Sequence, residues 1–238
     1  PTEAHQPEPT PLLFHEAIRF DNVRFRYSSD GPWVLDVINF SIPKGARVGF
    51  VGRTGSGKST VLDLLMGLLE PNEGQILVDG QPISGNRLRA WQRSIAHVPQ
   101  SIYLADTTLA ENIAFGVPPD TIDLDRVQLA ARQAQIADFI ESGSEGYQAY
   151  VGERGIRLSG GQRQRIGIAR ALYKQANVLV FDEATSALDN ATEQSVMDAI
   201  EGLSSDLTIL IIAHRLTTVR RCDTIVELKH GRVVVQGQ

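Results

Sequence analysis

Val48-Gly-Phe-Val51-Gly52-Arg53-Thr54-Gly55-Ser56-Gly57-Lys58-Ser59-Thr60 decides the fold of this 238-residue chain. A short apolar strand, Val48–Val51, runs into a glycine-rich loop, and the loop runs into Ser59–Leu69, whose apolar residues recur at helical spacing. Residues 52–59 fit the pattern G-x-x-x-x-G-K-S. Glycines let the backbone curl so that successive N–H groups point at one anion, and the helix that follows turns its positive end to the same anion. Lys58 adds a point charge for β- and γ-phosphates, and the Ser59 hydroxyl is a ligand for Mg²⁺. The alternative is a flexible glycine turn. A chance match in a chain of this length is roughly one in a hundred at average glycine usage, and the strand before and helix after lower it further. The stretch predicts nucleotide binding without saying which chemistry follows.

Working outward, two more apolar strands end in polar groups. Val178-Leu-Val-Phe181 ends in Asp182-Glu183, and Ile209-Leu-Ile-Ile-Ala213 ends in His214. Carboxyl ends of parallel strands gather at one edge of a sheet, which predicts that these groups meet the phosphates. Asp182 is the expected Mg²⁺ partner through water, Glu183 the expected general base for the attacking water, and His214 a neighbour of Glu183 and the γ-phosphate. A solvated strand end and a structural histidine are the alternatives for each taken singly.

The rest of the chain reads as an α/β protein. Ile18–Tyr27 alternates with a slip at Asp21-Asn22 that predicts a bulge or a turn, Trp33–Ile42 is a second strand, and Gly74–Asp79 a third. These front strands predict an antiparallel lobe beside a mostly parallel core sheet. The stretch from about 108 to 159 reads as mostly helical with a break at Pro118-Pro119, followed by helices Gln162–Lys174 and Thr192–Leu203 and a closing hairpin about His230-Gly231. The expected organisation is a linker over 1–16, which opens with four prolines in its first eleven residues, and one domain over 17–238 with an inserted helical lobe at about 101–173. A net charge of −5 argues against a nucleic-acid surface. The single cysteine, Cys222, excludes an internal disulfide and fits a reducing compartment. No apolar run approaches the about 20 residues that span a bilayer.

Leu158-Ser159-Gly160-Gly161-Gln162 opens the helix that begins Arg163-Gln-Arg-Ile. A serine and two glycines at a helix start form a second anion cradle, made of a hydroxyl, bare amides and the helix dipole. An ordinary N-cap explains Ser159 but not two cradles in one chain. A cradle far across the domain from Lys58 can serve the nucleotide of a partner.

With these motifs together the chain resembles the ABC ATPase family over residues from about 17 to 238. Gly52–Ser59 resembles Walker A, Asp182-Glu183 Walker B with its catalytic glutamate, and Leu158–Gln162 the family signature. The resemblance adds Gln100, in His97-Val-Pro-Gln100, as a Q-loop residue that reaches the metal and the reacting phosphate. It adds Asp189, in Ser186-Ala-Leu-Asp189, as the D-loop aspartate, and Tyr27 as the aromatic that stacks on adenine, against the alternative that Tyr27 is a core residue. Tyr150-Val-Gly-Glu-Arg-Gly155 resembles the X-loop of exporters, with Ala149-Tyr150 in place of the threonine often found before that run. Residues 90–92 and 101–116 are similar to exporters of polysaccharides and lipid-linked oligosaccharides.

The resemblance implies an ATPase with ATP and Mg²⁺ as ligands, working as a head-to-tail dimer with a second copy. It also implies a transmembrane domain of the same polypeptide, docked near Gln100–Leu104, at the cytoplasmic face of a membrane reached only through that domain. No nucleic-acid partner is expected. A soluble ABC ATPase of DNA repair or translation is the competing class, and would carry coiled-coil insertions or paired cassettes that the interval from Lys58 to Ser159 does not hold. A P-loop kinase leaves Leu158–Gln162 and the Glu183–His214 pair unexplained.

Overall fold

The computed structural model describes residues 10, 12–153, 155–182, 190–213 and 216–237. The chain divides into two compact units, one of residues 1–96 with 208–238, the other of residues 97–207.

The first unit opens with the strands β1 (Ala17–Phe25), β2 (Leu35–Pro43) and β3 (Arg47–Val51), the helix α1 (Lys58–Leu65), the strands β4 (Glu73–Val78) and β5 (Gln81–Pro82), and the helix α2 (Asn86–Ser94). β1 pairs antiparallel with both β2 and β4. Its register slips between Phe20 and Val23, where Asn22 adopts φ 48°, so the predicted irregularity at Asp21-Asn22 is a bulge. Alternation places Ile18, Phe20, Val23, Ile38 and Ile42 on the buried face. α1 is shorter than its apolar spacing predicts. It ends at Leu65, and Gly67 at φ 73° reverses the chain.

Within the span expected as linker, residues 12–16 pack onto this unit. Phe14 is buried with its ring edge-on to Trp91 at 6.2 Å. The Leu12 N–H donates to the Ala90 carbonyl, and the Ser94 hydroxyl donates to the Leu12 carbonyl. α2 carries one large buried apolar side chain, Trp91, whose indole N–H donates to the Leu65 carbonyl at 2.7 Å. A helix so polar elsewhere gives little periodicity, and none was expected over residues 86–94.

β6 (Ile95–Val98) leads into the second unit, which holds α3 (Leu109–Ile113), α4 (Leu124–Gln133), α5 (Ala137–Ser142), α6 (Gly160–Tyr173), β7 (Val178–Asp182) and α7 (Asn190–Glu201). Pro118-Pro119 opens a single 3₁₀ turn, the break that the prolines predict. α6 is the hub of this unit and packs against α3, α4 and α7. β6 and β7 are sheet neighbours.

The chain then returns to the first unit with β8 (Thr208–Ala213), α8 (Leu216–Val219), β9 (Thr224–Lys229) and β10 (Arg232–Gly237). β3 pairs parallel with β8 and with β9, and β10 closes the hairpin antiparallel to β9. His230 and Gly231 both have positive φ, 51° and 74°, as the tight hairpin turn demands. β8 is buried at every position, which is why its sequence is an unbroken apolar run instead of an alternating one.

Candidate functional site

β3 delivers its chain end into the loop of residues 52–57. The loop folds tightly, with the Ser56 N–H donating to the Arg53 carbonyl and the Gly231 N–H to the Ser56 carbonyl. Gly57 caps α1 at φ 105° and provides no side-chain cap, so the first amides of α1 are left for a ligand. A Cβ on Gly57 would lie 2.6 Å from Leu35 Cδ2. One on Gly52 would lie 2.5 Å from Ser56 Oγ. Lys58 is 6% exposed. Its Nζ donates to the Gly52 carbonyl and, at 3.3 Å, to the Ala213 carbonyl. The ammonium therefore sits across the carboxyl ends of two adjacent parallel strands, β3 and β8. Ser56 Oγ is buried without a hydrogen-bond partner. Uncapped amides, a buried ammonium and an orphaned hydroxyl are the donor set that a polyphosphate needs. A cavity of about 450 Å³ opens along residues 51–56 and 227–230. Arg53, Thr54, Gly55 and Ser59 are exposed, and Thr60 is buried.

Tyr27 is not a core residue. It is 67% exposed, its ring meets Phe25 edge-on at 4.8 Å, and its hydroxyl shares a 3.2 Å hydrogen bond with Thr60 Oγ1 on α1. A ring braced at its edge and its hydroxyl, with the rest open, suits stacking on a flat base.

In the second unit, Asp182 ends β7. Gln100 Nε2 lies 3.4 Å from Asp182 Oδ1, and His97 Nε2 lies 4.0 Å from Oδ2. Gln100 meets the carboxylate with its NH₂ group. Among the described residues no group of three or more His, Cys, Asp or Glu could enclose a metal. The Asp182 carboxylate and the Gln100 side-chain amide are oxygen donors of the kind Mg²⁺ takes, one or two to a site beside substrate phosphates.

Ser159 caps α6 through a closed capping box. Its Oγ accepts from the Gln162 N–H at 3.2 Å, and its own N–H donates to Gln162 Oε1 at 2.9 Å. Gly160 is exposed and Gly161 is buried.

Residues 35–186 match the family described as ABC transporter. The chain is 47% identical over 220 residues to an ATP-dependent lipid A-core flippase of Alkalilimnicola ehrlichii, covering 92% of this chain and 37% of that protein. It is 42% identical over 238 residues to the leukotoxin translocation ATP-binding protein LktB of a Pasteurella haemolytica-like species, covering all of this chain and 33% of that one. Among solved structures it is similar to a bacterial Atm1-family ABC exporter with ATP bound, with TM-score 0.84, 42% identity, and coverage of 99% of this chain and 41% of that one.

The chain belongs to the ABC transporter family. It has the ABC ATPase fold, and it is an ATP-binding, ATP-hydrolysing domain of that family. It spans from a third to two fifths of the length of these relatives.

Three of the sequence-predicted site residues of this ABC domain, Glu183, Asp189 and His214, lie outside the described residues. The others fall into the two units. Tyr27, residues 52–60 and the end of β8 are brought together in the first, and Gln100 with Asp182 in the second, where α6 also starts at Ser159. Sequence reasoning missed His97 as a neighbour of Asp182. Its only sequence signal is its place in the short strand before Gln100, and the acid it faces is remote along the chain.

Proposed function

We propose that this domain is one half of the motor of an ABC exporter, in which two copies close head to tail around two ATP molecules and hydrolysis reopens them to drive transport. The observation that supports this best is the presence of two unlike helix-start cradles in one chain, an uncapped one at Gly57-Lys58 and a self-capped one at Ser159-Gly160.

In this reading the amides of residues 52–57 and the Lys58 ammonium hold the β- and γ-phosphates, and Tyr27 stacks on adenine. Ser59, Gln100 and Asp182 would hold Mg²⁺, which supplies charge neutralisation at the transferring phosphoryl group. Glu183 takes the proton of the attacking water, and His214 and Gln100 orient the reacting groups. Ser159, Gly160, Gly161, Gln162 and Asp189 act on the partner's nucleotide.

The expected helical lobe at about 101–173 would receive the transmembrane domain of the same polypeptide near Gln100–Leu104, at the cytoplasmic face of the membrane. The domain proper is proposed to start near residue 17, with residues 12–16 packed onto it. No helix among the described residues is long and apolar enough to cross a membrane. The flippase relatives support a lipid-linked saccharide as cargo. A leukotoxin translocation protein at 42% identity warns that this domain does not choose the cargo. The long match to exporters over nearly the whole chain disfavours a soluble repair or translation ATPase.

The test mixes two defective proteins, Lys58→Ala and Ser159→Arg. With shared sites, a mixed dimer contains one site with an intact phosphate loop and an intact signature. Single-turnover cleavage of labelled ATP by the mixture should exceed the sum of the separate proteins. A mixture that cleaves no more than that sum, with mixed dimers demonstrated, refutes the shared site.

A further inference from the structure

Gln100 lies on a loop whose exit is held by a side chain of the signature helix. Arg170 stands on α6, three turns beyond Ser159. Its Nε donates to the Asn112 carbonyl at 2.9 Å and its Nη2 to the Tyr103 carbonyl at 3.0 Å, while its guanidinium lies 4.5 Å from the Phe115 ring centre. One turn earlier on α6, Gly167 admits the same loop. A Cβ there would meet Ile102 Cδ1 at 2.6 Å and Val98 Cγ1 at 3.1 Å. The loop is held from its other side by Asn112, which is fully buried. Its side chain accepts from the Ala105 N–H at 2.8 Å and donates to the Ala105 carbonyl at 3.0 Å. Beyond that point the chain pairs with the segment after residue 149. Thr108 bridges Tyr150, the Val151 N–H donates to the Thr107 carbonyl, and a Cβ on Gly152 would lie 2.4 Å from Asp106 Oδ1.

Every link in this chain is a backbone carbonyl held by a donor, a backbone amide held by an acceptor, or a contact too tight for a methyl group. The arginine fork fixes two carbonyls at once, which a flexible single donor does not. The stack on Phe115 holds the fork in place. The outer side of the same segment exposes two aromatic rings, Tyr103 at 70% and Phe115 at 52%, which meet edge-on at 6.5 Å.

We infer that Arg170 is a positioning residue. It locks the Gln100 loop to the signature helix, so that load arriving at the Tyr103–Phe115 face moves Gln100 and Ser159 as one body. The inference rests on the proposed roles of Gln100 and Ser159. It adds that the two are mechanically one part and names the residue that makes them so.

The test uses the 238-residue chain with Cys222→Ser, the only native cysteine removed. Spin labels are placed at the exposed positions Ser101 and Arg163 by cysteine substitution. The distance distribution should be narrow, and Arg170→Met should broaden it clearly. Unlabelled Arg170→Met should lower kcat about ten- to a hundredfold, the size of an ångström-scale misplacement, with the KM for ATP little changed. Arg170→Lys keeps the charge and one donor and should fall between. Should the methionine variant not fold, the lysine variant decides. Arg126→Met is the control. Arg126 is also stacked on a ring, that of Tyr173, and donates to the Tyr173 carbonyl, but it does not touch the loop. It should lower thermal stability and leave distance and kcat alone. An unbroadened distance with wild-type kcat in both Arg170 variants overturns the clamp and leaves the ATPase reading intact. A wild-type chain that cleaves no ATP at all refutes that reading instead, while the distance measurement still judges the clamp.

Discussion

At the start of α1 the capping position is Gly57, in a left-handed conformation and without a side-chain acceptor. At the start of α6 it is Ser159, in an extended conformation inside a closed capping box. The first arrangement leaves helix amides unsatisfied and places a buried ammonium beside them. The second satisfies two of its amides, those of Ser159 and Gln162, and keeps a hydroxyl proton, the two glycine amides and the helix dipole for a ligand. An uncapped start with a fixed cation can hold a phosphate chain alone. A self-capped start is stable when empty and adds to a site only when something else brings the phosphate. The two starts imply an order of binding. In the proposed mechanism the phosphate loop captures ATP, and the signature loop joins later.

The hardest test of that asymmetry is Lys58→Ala. It removes the only cation that donates to the carbonyls at the ends of both β3 and β8 among the described bonds. Cleavage of labelled ATP should fall to background, with ATP binding weakened as well, because the β- and γ-phosphates lose their fixed charge. Turnover near that of the wild type would break the comparison at its first term.

Substituting a glycine in each loop separates the two designs further. Gly57→Ala forces an alanine to φ 105° and its methyl to within 2.6 Å of Leu35 Cδ2. It should cost about 1–3 kcal/mol of stability, seen as a lower Tm, together with weaker ATP binding. Gly160→Ala, inside α6 without a positive φ, should leave Tm unchanged or raise it, since alanine favours helix by up to about 1 kcal/mol over glycine. It should still reduce single-turnover cleavage by the dimer. Equal losses of stability in both variants would mean that the two loops are built alike after all.

Much of this was legible in the sequence because the deciding residues are neighbours in the chain. The strand before residue 52, the glycine loop and the helix after it form one contiguous string. The slip at Asp21-Asn22 and the turn at His230-Gly231 follow from local pattern and local backbone demand. What stayed hidden is long-range. Trp91 anchors a polar helix with one side chain, Phe14 docks a proline-rich start, and His97 and Gln100 meet Asp182 only through folding. Arg170 reads as one more basic residue on a helix face until Tyr103 and Asn112 are seen to hold it. The exposure of Tyr27 was open in the sequence because an aromatic at a strand end serves a core or a base equally well.

The cap itself sets a smaller effect. Ser159→Ala opens the capping box and should destabilise the domain by about 1 kcal/mol in the absence of nucleotide, whereas Ser159→Thr should restore most of it. Lys58→Ala should show no comparable loss from helix capping, since α1 has no side-chain cap to lose. Thermal melts of the three variants without ATP check this. An unchanged Tm in Ser159→Ala would show that the box seen at α6 contributes nothing.

The smallest expected effect comes from a third set of backbone amides, which holds an anion of the protein's own. The Asp79 carboxylate accepts from the N–H groups of His15, Glu16 and Ala17 at 2.8, 2.7 and 3.1 Å. Burial pushes this carboxyl up, but the three amides together pull harder and hold it below the usual 3.8. A lowered folded pKa stabilises the fold above the unfolded value, and that contribution is lost as pH falls through the folded one. The carboxylate is partly open to water, so solvent screening keeps the effect small. Asp79→Asn keeps one acceptor oxygen and removes the charge. The wild type should therefore melt slightly higher than the variant at pH 7, and the gap should close below about pH 4, where the free carboxyl protonates. A gap of the same size at pH 7 and pH 3 would show that the amides hold Asp79 by shape and not by charge.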